Sequence, residues 1–159
     1  MITLYFETGE ALQYSCDSFV GLDFNGASLH RAIFQGLDVS NANFANANLR
    51  NAIFDFAILN GSCMSNAALM NATLTCAEME GVDLSGAIAV GAIFAGANLS
   101  MSNLKSLDVR GACFKGANLC GANFLVEQIE ESELSGAQYD SETVWPSGFN
   151  PVLYGAIKI

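Results

Sequence analysis

The hydrophobic positions of this chain fall in one register with a period of five. Phe19, Phe24, Leu29, Phe34, Val39, Phe44 and Leu49 open a series of apolar centres that continues through Phe54, Met64, Leu74, Phe94, Phe114 and Phe124 to Leu134 and Tyr139. No insertion or deletion interrupts the count. A period of five matches neither the 3.6 residues of a helical turn nor the two-residue alternation of a strand. It describes a small unit doing the same structural job again and again, and that predicts a solenoid.

Alanine usually stands two positions before each centre, as in Ala52-Ile53-Phe54, Ala92-Ile93-Phe94 and Ala97-Asn98-Leu99. Residues two apart in extended backbone point to the same side. Centre and alanine therefore face inward, and the residue between them faces out. Gly or Asn often occupies the fifth position, where a tight corner needs a permissive residue. Outward positions are expected to tolerate exchange, so Asn98→Asp should be nearly silent.

The pattern resembles the pentapeptide-repeat family over residues 17–141. That resemblance implies an all-β fold, a right-handed parallel β-helix of quadrilateral cross-section with four pentapeptides per coil. The sequence supports a count of four, because Ala-Ile-Phe recurs at Ala32-Ile33-Phe34, Ala52-Ile53-Phe54 and Ala92-Ile93-Phe94. Sorting the centres by twenty puts Phe34, Phe54, Phe94 and Phe114 on one wall and Phe24, Phe44 and Phe124 on the opposite one. About six coils at an inter-strand spacing of about 4.8 Å give a rod of roughly 30 Å.

A solenoid needs its ends covered. Residues 1–16 lie outside the register and carry Leu4, Tyr5, Phe6, Leu12 and Tyr14, which assigns them to an N-terminal cap. Residues 142–159 form a C-terminal capping tail whose Trp145 and Phe149 are expected over the last coil. That tail is similar to the segment following the repeats in cyanobacterial members of the family. An exposed aromatic patch for dimerisation is the other reading of the tail.

Composition narrows the function classes. The chain is 52% hydrophobic, yet it has no run of about 18 apolar residues, so no membrane span is expected. Its start lacks a basic region followed by an apolar stretch, which points to a cytoplasmic chain and leaves a processed lumenal protein open. The net charge of −10 opposes direct nucleic-acid binding and suits a cationic protein partner.

Little in the sequence marks catalysis. Cys16, Cys63, Cys76, Cys113 and Cys120 include no pair twenty apart, so stacked disulfides are not expected and free thiols in a reducing compartment are. No Cys or His cluster suggests a metal, and no cofactor is expected. His30 is the only histidine and has no nucleophile marked beside it. Gly-x-x-x-x-Gly spacings follow from the period alone and lack the Gly-Lys-Ser/Thr of a phosphate loop.

Two surface features remain. Ile33, Ile53 and Ile93 share one outward column, interrupted by Thr73 and followed by Cys113. Such a column is either a β-branched ladder that stiffens the wall or an apolar contact stripe. Glu127, Glu130, Glu131 and Glu133 form the densest acidic group, with Arg110 one coil below Glu130 as its expected ion-pair partner. These features point to a non-enzymatic binding or scaffold protein with an unidentified protein partner, acting as a monomer or as a dimer through an end cap or apolar face. The resemblance also implies an alternative, since some family members mimic duplex DNA and inhibit type II topoisomerases. The outward columns are mixed, as in Asp38, Ile58, Glu78, Asn98 and Asn118, and fit that alternative poorly.

Overall fold

The five-residue period becomes a hydrogen-bonding rule in the three-dimensional structure. A computed structural model describes residues 1–159. From Asp23 to Asn118 the outward residues, Asp108 excepted, are bridged in parallel to the residue twenty positions on, in four columns exemplified by Asp23 with Asn43, Ser28 with Asn48, Ile33 with Ile53 and Asp38 with Ile58, and Asn123 is bridged to Val144. Each bridge uses two backbone bonds. The Ile53 N–H donates to the Ala32 carbonyl at 2.9 Å, and the Phe34 N–H donates to the Ile53 carbonyl at 2.7 Å. The corners turn through the left-handed region, where Asn51 has φ 55° and Gly91 φ 67°. Asn tolerates this conformation better than most residues, and Gly does so without a Cβ penalty.

All the apolar centres from Phe19 to Tyr139 are buried. Rings stack between coils, Phe34 on Phe54 at 4.7 Å, Phe24 on Phe44 at 4.8 Å and Phe94 on Phe114 at 4.9 Å. The two ring walls meet edge to face across the interior, as with Phe34 and Phe44 at 5.4 Å. Between Leu59 and Ala89 the centres are aliphatic or methionine, and the rings give way to Met64, Leu74, Met79 and Leu84.

Longer strands occur only at the ends, and there is no α-helix. At the N-terminus β1 (Ile2–Phe6) pairs antiparallel with β2 (Ala11–Tyr14) and also with β3 (Ala32–Ile33), placing Tyr5 opposite Ile33. Leu4 and Phe6 are buried, and Tyr14 meets Phe19 and Phe24 edge to face, whereas Tyr5 and Leu12 are exposed. At the other end β4 (Gln138–Tyr139) pairs in parallel with β5 (Ile157–Lys158). Trp145 packs edge-on against Phe124 and Tyr139.

Two sequence expectations are corrected. The residue count stays in phase to Tyr139, but the ladder lapses on one wall. Asp108 has no bridge to Gln128, and residues 125–131 depart from the coil through a left-handed Gln128 (φ 54°) into a short 3-10 helix, Ile129–Glu131. Ile129 still fills its inward place, so side-chain periodicity survives where backbone periodicity fails. Arg110, in turn, pairs with Asp108, not with Glu130. Its Nη2 lies 2.6 Å from Asp108 Oδ2 and its Nε 2.9 Å from Oδ1. A partner two residues away on the same wall costs less ordering than one reached across the displaced segment.

Candidate functional site

The isoleucine column is continuous in backbone as well as in sequence. Ile33, Ile53, Thr73, Ile93, Cys113 and Glu133 are bridged each to the next, so the apolar column and one member of the acidic group lie on a single wall. The repeat puts them outward because each stands between a small inward residue, alanine throughout except for Ser132 before Glu133, and an inward centre; Ile93 remains 39% exposed. Thr73 interrupts the apolar surface with a satisfied hydroxyl, which donates to the Asp55 carboxylate at 3.0 Å.

The structure adds two residues to this wall. Tyr5 is set opposite Ile33 by the antiparallel docking of β1 and is exposed, which extends the apolar column past its first isoleucine. No periodic signal could have placed it, since β1 lies outside the repeat. Phe56 stands at the corner following Ile53, 60% exposed, in the left-handed region at φ 60°. Its signal was available in the sequence, as a ring where the repeat calls for Gly or Asn.

The acidic group is divided. Glu133 sits on the isoleucine wall, where its carboxylate accepts a hydrogen bond from the Cys113 thiol at 3.3 Å. Glu127, Glu130 and Glu131 belong to the displaced segment and its 3-10 helix, and all four are exposed. Burial, reinforced by the Glu133 carboxylate, holds the Cys113 thiol above its ordinary pKa. A thiol so placed is a poor nucleophile at neutral pH. The other cysteines are free as well. His30 Nε2 lies 3.2 Å from Asn51 Nδ2, and no nucleophile is paired with it. No three His, Cys, Asp or Glu residues gather in a way that would hold a metal ion.

The model of the pentapeptide repeats matches eight copies in this chain, over residues 18–44, 40–75, 77–116 and 94–124. The chain belongs to the pentapeptide-repeat family. Solved structures of pentapeptide-repeat proteins imply a right-handed β-helix for it. One, from the thylakoid lumen of Arabidopsis thaliana, is 34% identical over 57% of this chain and 67% of its own, with a TM-score of 0.51. Rfr23 from the cyanobacterium Cyanothece 51142 is 29% identical over 79% of this chain and 89% of its own, with a TM-score of 0.53. QnrB1, a plasmid-mediated fluoroquinolone resistance protein, is 17% identical over 89% of this chain and 85% of its own, with a TM-score of 0.47. No match was found among curated protein sequences. Pentapeptide-repeat proteins are generally structural or interaction proteins, and no helix of this one is long and apolar enough to cross a membrane.

Proposed function

We propose that this pentapeptide-repeat protein is a non-enzymatic binding protein, a four-walled rod of about six coils that offers one wall to a protein partner. The observation supporting this is the single bridged column from Ile33 through Ile53 and Ile93 to Glu133, apolar along most of its length and acidic at its end. With Tyr5 and Phe56 beside it, the wall combines a desolvating stripe with a negative rim, the composition of a small interface. The partner face it suits is apolar with a cationic margin. Backbone bonding from coil to coil makes the wall rigid, so binding needs little ordering of the rod.

The test is the triple variant Ile33→Thr, Ile53→Thr, Ile93→Thr, which keeps β-branching at every bridge. The proposal expects an unchanged fold with reduced self-association in sedimentation, or reduced recovery of a specific partner on the immobilised protein. Unchanged association with lowered thermal stability would make the column a ladder only.

The alternative, a DNA mimic acting on a type II topoisomerase, rests on the family resemblance and on the net charge of −10. The acids lack the unbroken columns that a phosphate-like array requires, and Asn amides one coil away hydrogen-bond several of them, as Asn43 does Asp23 at 3.0 Å. This reading expects gyrase supercoiling to be inhibited by micromolar protein, and the proposed wall-binding function expects no inhibition.

A further inference from the structure

One edge of the rod is charged at both ends and apolar in the middle. Backbone bonds run along it from coil to coil: the Arg31 N–H donates to the Arg50 carbonyl at 3.0 Å, Asn51 to Met70 at 2.9 Å, Asn71 to Val90 at 3.0 Å, Gly91 to Arg110 at 2.9 Å and Gly111 to Glu131 at 3.0 Å. The last of these bonds restores the corner beyond the displaced segment. From the N-terminal end the edge carries His30 and Arg31, then Arg50, Met70, Val90 and Arg110, and finally Glu130 and Glu131. The adjoining wall repeats the order. Its bridged column is Ser28, Asn48, Ala68, Ile88 and Asp108, apolar only at the two middle coils, where Ile88 is exposed. Asp108 neutralises Arg110. Arg31 and Arg50 are exposed and form no ion pair within the chain, although Glu7 donates its N–H to the Arg31 carbonyl and Glu10 lies near His30.

We infer that a second copy of the chain docks on this wall, antiparallel, with the two-fold axis between the coils of Met70 and Val90. A two-fold lying in the interface, across the rods, keeps each column opposite itself and reverses the order of the coils. Met70 then faces Val90 and Ala68 faces Ile88, and each pairing occurs twice. His30 and Arg31 face Glu130 and Glu131, and Arg50 faces the Asp108–Arg110 pair. The displaced segment 125–131 comes opposite a hollow of about 300 Å³ at the N-terminal end of the wall, lined by Phe6, Glu10, Ser28 and His30 among others. Its irregular backbone is given room there, and the residue in register with Ser28 is the uncharged Gln128. A parallel pair would instead set Glu127, Glu130 and Glu131 at the same height as their own copies, where like charges repel. The contact is small. A wall roughly 30 Å long and about 10 Å wide falls below the area of a permanent dimer, so the pair is a reversible one of micromolar affinity.

This inference goes beyond the proposed function and uses none of the isoleucines, so either can fail alone. Sedimentation velocity of the full-length protein should show a monomer–dimer equilibrium that added salt weakens. Arg31→Glu with Arg50→Glu should weaken it at least tenfold, and so should Glu130→Arg with Glu131→Arg. Mixing these two variants should give a heterodimer at least tenfold tighter than either variant's own pair. Both ends then meet opposite charge, although each protein remains acidic overall. Ile88→Asn, which sets at that bridge the residue type of Asn48, should weaken association and leave the thermal midpoint unchanged. Orientation is read by zero-length carbodiimide cross-linking of the Arg31→Lys variant. Position 31 should join Glu131 of the second copy, since the two stand five coils, roughly 24 Å, apart within one chain. A protein monomeric at every concentration up to about 1 mM would overturn the inference. So would mixed variants that fail to associate, or a dimer abolished by Leu153→Asp at the exposed C-terminal end and unchanged by the charge reversals. Association lost in the Ile33, Ile53, Ile93 triple variant but kept in these would overturn it too, and would leave the proposed function standing.

Discussion

The side-chain amide of Asn103 donates to the carboxylate of Asp83 at 3.0 Å, one coil apart on the same outward column. An outward surface built in this way is bonded to itself and does not tolerate arbitrary exchange. Asn103→Asp would set two carboxylates at adjacent bridging positions and remove the donor. It should cost about 1 kcal/mol in urea unfolding, part of which added salt restores. The same reasoning reverses the expectation for Asn98→Asp. Asn98 donates to Glu78 at 3.4 Å and accepts from Asn118 at 3.1 Å, so that change should be measurably destabilising.

Phe54 shows what the interior demands. It stacks on Phe34 with an interplanar angle of 3° and has no exposed surface. Phe54→Asp should yield no soluble folded protein, since it buries an unpaired carboxylate in a narrow apolar core. Phe54→Leu should fold and lose about 1 kcal/mol with the stacking contact. The exposed Lys105→Ala should change the urea midpoint by no more than about 0.5 kcal/mol, and an equal loss at both positions would contradict the register.

At Phe56 stability and binding are expected to move in opposite directions. A ring in the left-handed region at φ 60° is strained by about 1 kcal/mol relative to glycine. Phe56→Gly should raise the thermal midpoint, while the loss of an exposed ring beside Ile53 should weaken partner capture. A variant that is both less stable and equally active in capture would remove Phe56 from the proposed surface.

Asp140 ties the C-terminal tail to the last coil by accepting the N–H groups of Gly121, Glu142 and Thr143, each at 3.0 Å. These bonds, the one from Gly121 foremost, hold its carboxyl below the ordinary value of 3.8. A carboxyl depressed in the folded state contributes stability that is fully present above its unfolded pKa and lost as pH falls through the folded value. Asp108, lowered chiefly by its hydrogen bond from Arg110, acts in the same direction. Acid titration of stability below about pH 4 should therefore be shallower for Asp140→Ala than for the unmodified chain. Parallel curves would exclude that contribution.

The repeat was legible because each pentapeptide poses the same local problem and answers it with the same residue types. The inward centres and alanines, the corner residues, the four columns and the stacked rings all follow from that repetition. What escaped depends on single events without period. The docking of Tyr5 against Ile33 is a long-range antiparallel pairing from outside the repeat. The departure of residues 125–131 leaves Ile129 in its buried place, so the period of the centres carries no trace of it, and only Glu127 at the small inward position and the buried Val126 at the corner break the pattern. Arg110 chose Asp108 over Glu130 because of that same departure. Of the two surface features read from the sequence, the isoleucine column is one continuous ladder, and the acidic group is shared between two walls.

The aliphatic stretch between Leu59 and Ala89 has a mechanical consequence. In a solenoid each coil is coupled only to its neighbours, so stability is a sum of local terms and not a property of one shared core. The stacked phenylalanines form two blocks, Phe24 to Phe54 and Phe94 to Phe124, joined by a segment whose centres are Met and Leu. Under a stretching force or in rising denaturant the rod should part at this joint, each aromatic block holding together after the junction has opened. Its behaviour would be that of two stiff springs in series with a softer one.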